Sequence, residues 1–184
     1  MGNLLLTTPA FSAIRQRLPG VHIGFLTTEA YGFMLTHHRD IDVLYLQSRR
    51  MTWNWLAQLR LIREVRRQNY DMVVDCSQGE SFLGVVWMMV CGASYRVGEK
   101  GSRHEALFNL AVDVSEAKEH RIERLLAVLE AVGIPSAGFA MHIPLPPSCQ
   151  QWAVNQWAFW TSSGGTRRIG INLGARGEKR WPLE

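Results

Sequence analysis

"YDMVVDCSQGESFLGVVWMMVCGASYRVGE", residues 70–99, decides the fold. Tyr70 to Ser77 run apolar and then turn polar, as a strand buried on both faces of a parallel sheet does. "SFLGVVWMMVCG" follows as an apolar helix, and Gly92 supplies the residue type that ends one. "SYRVGE" then returns to β-type residues. Strand, helix and strand in so short a span make a βαβ unit, whose crossover lays two strands parallel.

The alternation continues outward on both sides. "VHIGFLTT" (21–28) reads as a strand after the turn signal Pro19-Gly20, "AYGFMLTHH" as a short helix, and "IDVLYLQ" (41–47) as a strand. "WNWLAQLRLIREVRRQ" is predicted to be a helix with Trp55, Leu56, Leu59, Ile62 and Val65 along one face. "KEHRIERLLAVLEAVGI" is the clearest helix, with Ile122, Leu125, Leu126, Leu129 and Val132 in register and Gly133 as its cap. Pro144 to Ser148 break the pattern as a linker, and "QQWAVNQWAFW" after them is helical. The expected class is α/β, a Rossmann-like parallel sheet with helices on both faces. At the N-terminus two readings stand. Leu4 to Leu6 form a strand, with Pro9 at the first position of the next helix, or they are the first turn of a helix bent at Pro9. In the second case no strand leads the sheet.

Composition narrows the function. The 184 residues are 47% hydrophobic and 20% charged, which suits one substantial globular core. The longest apolar run, Phe82 to Cys91, is too short to span a bilayer. "MGNLLLTTPAF" has no basic leader or cleavage site, so no signal peptide is expected, and Leu6 stands where a myristoylation signal needs Ser or Thr. Three scattered cysteines, Cys76, Cys91 and Cys149, fit a reducing compartment and neither a disulfide framework nor a zinc site. The net charge of +4 is compatible with plain solubility or with an anionic partner.

Four ordered segments carry a resemblance. "GNLLLTTPAFSAIRQRLPG", "YDMVVDCSQGESFLGVVWMMVCGASYRVG", "EHRIERLLAVLEAVGI" and "INLGARGEKRWPLE" resemble successive parts of glycosyltransferase family 9, the ADP-heptose:lipopolysaccharide heptosyltransferases. The resemblance implies a truncated N-terminal half of a two-domain GT-B-type enzyme. Residues 1–147 would be the acceptor-side domain without its leading strand. Residues 148–184 would be a linker helix and the start of the nucleotide-sugar domain. The implied reaction transfers heptose from ADP-heptose, as donor substrate and without a cofactor or metal, to the lipid A–Kdo acceptor of the lipopolysaccharide inner core. The implied place is cytoplasmic, peripheral at the inner membrane.

The same resemblance sets Asn3 at the position of the family's catalytic base, an aspartate. An amide accepts no proton at neutral pH, so this chain lacks the expected base and turnover by it is an open question. Asn3 would then orient a hydroxyl or simply start a helix. Asp75, at the end of a buried strand, and Gly79 fall where open α/β sheets bind ligands, and the acceptor is expected there. The plainer reading of Asp75 is a cap on the next helix. Lys179 matches the lysine facing the nucleotide phosphates, with Gly174 and Arg176 beside it in a strand-to-helix loop. Arg60 and Arg63, with Arg67 on the same helical face, suit a phosphorylated lipid acceptor or anionic headgroups, or else form a solvated basic face. His104 and His120 suit no metal pair, and His37-His38 are expected to be exposed. Nucleic acid is not an expected partner, since arginines interleaved with aromatics on a sheet or groove are absent. The other reading of the whole is a non-catalytic remnant or acceptor-binding module.

Overall fold

The computed structural model describes residues 2–48, 54–77, 81–114, 120–138 and 140–161. It divides into two compact units, residues 1–144 and 145–184. The first holds α1 (Gly2–Leu5), α2 (Thr8–Arg17), β1 (Gly24–Thr28), α3 (Glu29–Gly32), β2 (Val43–Gln47), α4 (Trp55–Arg67), β3 (Met72–Val74), α5 (Phe82–Val90), β4 (Tyr95–Glu99), β5 (Leu110–Val112) and α6 (Arg121–Ala131). In the second, α7 (Pro147–Thr161) is the described element.

Every strand pairing among the described residues is parallel. Gly24 lies opposite Val43, Met72 opposite Tyr95, and Val97 opposite Leu110. The strands form two sheets, β1-β2 and β3-β4-β5, where the sequence suggested one. Side chains tie the two together. The Tyr70 hydroxyl is 3.1 Å from that of Tyr45, and its ring stacks on His22 at 5.7 Å. Tyr70 comes so close to Gly24 that a Cβ there would run into its hydroxyl, which explains a glycine at the start of β1.

Alternation along β3 assigns the helices to faces. Val74 and Cys76 pack on one side against a cluster of Ala10 and Ala13 from α2 with Ile122, Leu125, Leu126 and Leu129 from α6. Val73 points to the other side, where Leu61 and Val65 of α4 meet Trp87 of α5, Cys91 just after it and Tyr45 of β2. Helices thus cover both faces, as a parallel arrangement requires. A third cluster joins Leu4, Phe11, Ile23 and Leu35.

The N-terminus takes the helical alternative. Residues 2–5 are one helical turn, and α2 starts after a break at Leu6-Thr7. Pro9 has no N–H for the Leu5 carbonyl, and the Thr8 hydroxyl donates to that carbonyl instead, at 2.9 Å. The Thr7 hydroxyl does the same for Leu4 at 2.7 Å.

One expectation needs correction, and one strand went unread. α4 buries Leu61 and Val65, while Trp55, Leu56 and Leu59 are exposed. The helix carries two apolar stripes, and the sequence pattern alone favours the wrong one. β5 was not read from the sequence.

Candidate functional site

Open parallel sheets bind ligands beyond the carboxyl ends of their strands. On the larger sheet that rim begins at Asp75, which is buried. One oxygen of its carboxylate accepts from the Ser77 N–H at 2.8 Å and from the Ser77 hydroxyl at 2.6 Å. This is an Asx turn, and it fixes the strand exit. The helix after it is capped by Ser81, whose Oγ accepts from the Gly84 N–H at 3.0 Å. Arg121, opening α6, donates from Nη2 to the Ser77 carbonyl at 2.8 Å and holds the turn from the other side. Burial first, and then the Asp75 charge, push the Cys76 thiol up to about 12, so it stays a thiol and no nucleophile.

Asn3 is exposed in α1. Leu6, three residues on, packs into the same cluster as Val74 and Cys76. Arg60 and Arg63 do not join it. They project from α4, sharing no hydrogen bond or cavity with Asp75 among the described residues. Arg60 lines a cleft of about 320 Å³ with Leu44, Leu46 and Glu64, and Arg63 a groove of about 470 Å³ with Leu59 and Arg66. Gly79, Gly174, Arg176 and Lys179 lie outside the described residues. Among the described residues no group of three His, Cys, Asp or Glu is placed to hold a metal, and no helix is long and apolar enough to cross a membrane.

A second polar cluster was missed by the sequence reading. His38 is 3% exposed, against the expectation of an exposed pair, although His37 is exposed. His37 takes a left-handed backbone, φ 67°, and the turn sends the next side chain inward. There the His38 ring meets Phe11 at 5.6 Å and His142 at 5.4 Å, both edge-on, and its Nδ1 accepts from the Asp40 N–H at 3.3 Å. Asp40 accepts from the Ser12 hydroxyl at 2.8 Å, and the His142 N–H donates to Thr8 Oγ1 at 3.0 Å. The cluster clips residues near 142 onto α2.

Burial holds the His38 pKa below its ordinary value. Asp40 pulls it back up, and His142 and Arg39 add to the lowering. Protons therefore bind the unfolded chain more readily than the folded one. The stability contributed by neutral His38 is complete above about pH 6.5 and is lost as pH falls below it. His38→Asn, whose amide can accept the Asp40 N–H and does not titrate, should flatten this loss by up to about 1.4 kcal/mol per pH unit. Urea midpoints of both proteins across mildly acidic pH check it, and parallel pH profiles would count against a buried neutral His38.

Comparisons with known proteins fit this geometry. No family model matches the chain. It is 27% identical to lipopolysaccharide heptosyltransferase 3 of Escherichia coli K12 over 72% of its length and 40% of that protein. It is 22% identical to lipopolysaccharide heptosyltransferase 1 of the same strain over its whole length and 59% of that protein. The chain thus spans roughly half the length of the curated relatives it matches. A glycosyltransferase family 9 crystal structure from Veillonella parvula superposes with a TM-score of 0.76 at 22% identity, over 98% of this chain and 53% of that one. E. coli heptosyltransferase WaaC with ADP superposes with a TM-score of 0.63 at 18% identity, over 98% and 56%. In sequence and in its parallel α/β fold, this chain resembles the heptosyltransferases of glycosyltransferase family 9.

Proposed function

We propose that the chain serves heptosyl transfer, from ADP-heptose as donor substrate to the lipid A–Kdo acceptor of the lipopolysaccharide inner core, at the cytoplasmic face of the inner membrane. The similarity to two lipopolysaccharide heptosyltransferases, laid over a parallel α/β fold, carries this reading. In it, Asp75, Gly79 and Asn3 are the residues assigned to the acceptor. Lys179, with Gly174 and Arg176, draws the departing diphosphate, where a cation and bare backbone amides stabilise the charge that develops. No cofactor is required by this direct displacement. The test is ADP release from ADP-heptose in the presence of lipid A–Kdo, together with ADP binding by calorimetry. The absence of both ADP release and ADP binding would retire the enzyme reading.

One observation favours a second reading, an acceptor-binding module without turnover. Asn3 cannot take the acceptor's hydroxyl proton. Asn3 is exposed, so an aspartate there meets no packing obstacle. If position 3 is the base position, Asn3→Asp should raise turnover about 100-fold, the lower end of what a positioned general base contributes. Unchanged turnover would place the base elsewhere.

A further inference from the structure

We propose that the outward faces of α4 and α5 dock on an anionic lipid bilayer, with the α4 arginines on the headgroups and Trp55, Leu56 and Leu59 at the boundary between headgroups and acyl chains. α4 turns Leu61 and Val65 inward. At about 100° per residue, Trp55, Leu56 and Leu59 fall with Arg60, Arg63 and Arg67 in one outward arc of about 140°. The three apolar side chains are 67%, 51% and 40% exposed. A merely solvated basic face has no use for a tryptophan and two leucines at such exposure, because leaving large apolar groups in water is unfavourable. On this outward face long arginine side chains can reach anionic headgroups while Trp55, Leu56 and Leu59 between them reach the apolar boundary beneath.

The neighbouring helix extends the surface. α5 packs beside α4 over the same cluster, has no charged residue, and exposes Val86 and Met89. The acidic residue of α4, Glu64, lies at the edge of the arc. Its remaining charges are all arginine, which selects an anionic partner over a neutral one. Arg66 also lies across Gly92, just past the end of α5, and so links the two helices of the surface.

This inference takes from the heptosyltransferase reading only that the acceptor is lipid-linked, and its test does not depend on turnover. Sedimentation of the full chain with phosphatidylglycerol–phosphatidylethanolamine vesicles should show binding that weakens at high salt and is absent on phosphatidylcholine. Arg60→Gln with Arg63→Gln and Arg67→Gln should lower the partition coefficient about 100-fold. Trp55→Ser with Leu56→Ser should lower it about tenfold or more, with circular dichroism unchanged, since neither side chain is packed in the core. Equal binding to both vesicle types would overturn the proposal, as would variants that bind like the parent. Retention on RNA or on an acidic protein without vesicle binding would also overturn it. ADP release on a detergent-dispersed acceptor is measured alongside. Turnover without vesicle binding removes the docking face alone, and vesicle binding without turnover removes the enzyme reading alone.

Discussion

Arg124→Met should destabilise the protein by about 3 kcal/mol, because it leaves a carboxylate buried without its cation. Glu99 ends β4 with its side chain 8% exposed, and the Arg124 guanidinium reaches it from α6 by both Nε and Nη2. The Nε–Oε2 separation is 3.2 Å. The fork matches the two carboxylate oxygens, so each charge is hydrogen-bonded as well as paired. Arg124 itself is 36% exposed, and water reaching the vacated place will offset part of the loss. That argues for the lower end of the range for breaking a buried pair. Removing both charges together, Glu99→Leu with Arg124→Leu, should cost much less than Arg124→Met alone, since no uncompensated charge remains. Urea unfolding of the three proteins measures this. A double variant no better than the single one would show that the pair is held for packing and not for charge.

The pairing also shows what the sequence could and could not disclose. The helix of residues 121–131 was legible because Ile122, Leu125, Leu126 and Leu129 recur at helical spacing and all four are buried. Gly133, with φ 85°, ends that helix as its residue type suggested. The strand–helix–strand unit of residues 70–99 was legible for the same reason, with Gly92 at φ 87°. What escaped depends on partners distant in sequence. Glu99 and Arg124 lie 25 residues apart, and nothing local to either marks it as half of a buried pair. His38 owes its burial to Phe11 and His142, and nothing near it in the chain announces either. α4 misled because its apolar residues lie on two sides, and only the position of α5 and β2 decides which side is core. Asp75 was legible as the residue that follows a strand. Its clasp on Ser77 is a local turn that the Asp-Cys-Ser order permits and does not demand.

Leu129→Ala should cost about 3–4 kcal/mol, the largest loss expected from a single truncation in this chain. Leu129 is 1% exposed and sits where α6 meets α2 and β3. The transfer cost of its lost methyls is the smaller part, and the rest depends on whether the surroundings can close over the void. Here they cannot easily do so. α2 faces the site with Ala10 and Ala13, whose side chains have no further atoms to swing inward. Behind the site stand Val74 and Cys76, held by β3 and by the turn that Arg121 and Asp75 fasten. Closure would have to move helix backbone, which disturbs the Ala13 contact, itself 1% exposed. The same geometry predicts a partial rescue. Adding Ala13→Val to Leu129→Ala returns volume to the void from the opposite helix and should recover about 1 kcal/mol, while Ala13→Val in the parent overpacks and destabilises. Opposite signs for one substitution in two backgrounds, read as shifts in urea midpoint at constant slope, are the expected result. A destabilisation of Leu129→Ala below about 1 kcal/mol would mean that α2 moves in to fill the space, and that the two alanines do not hold it at a fixed distance.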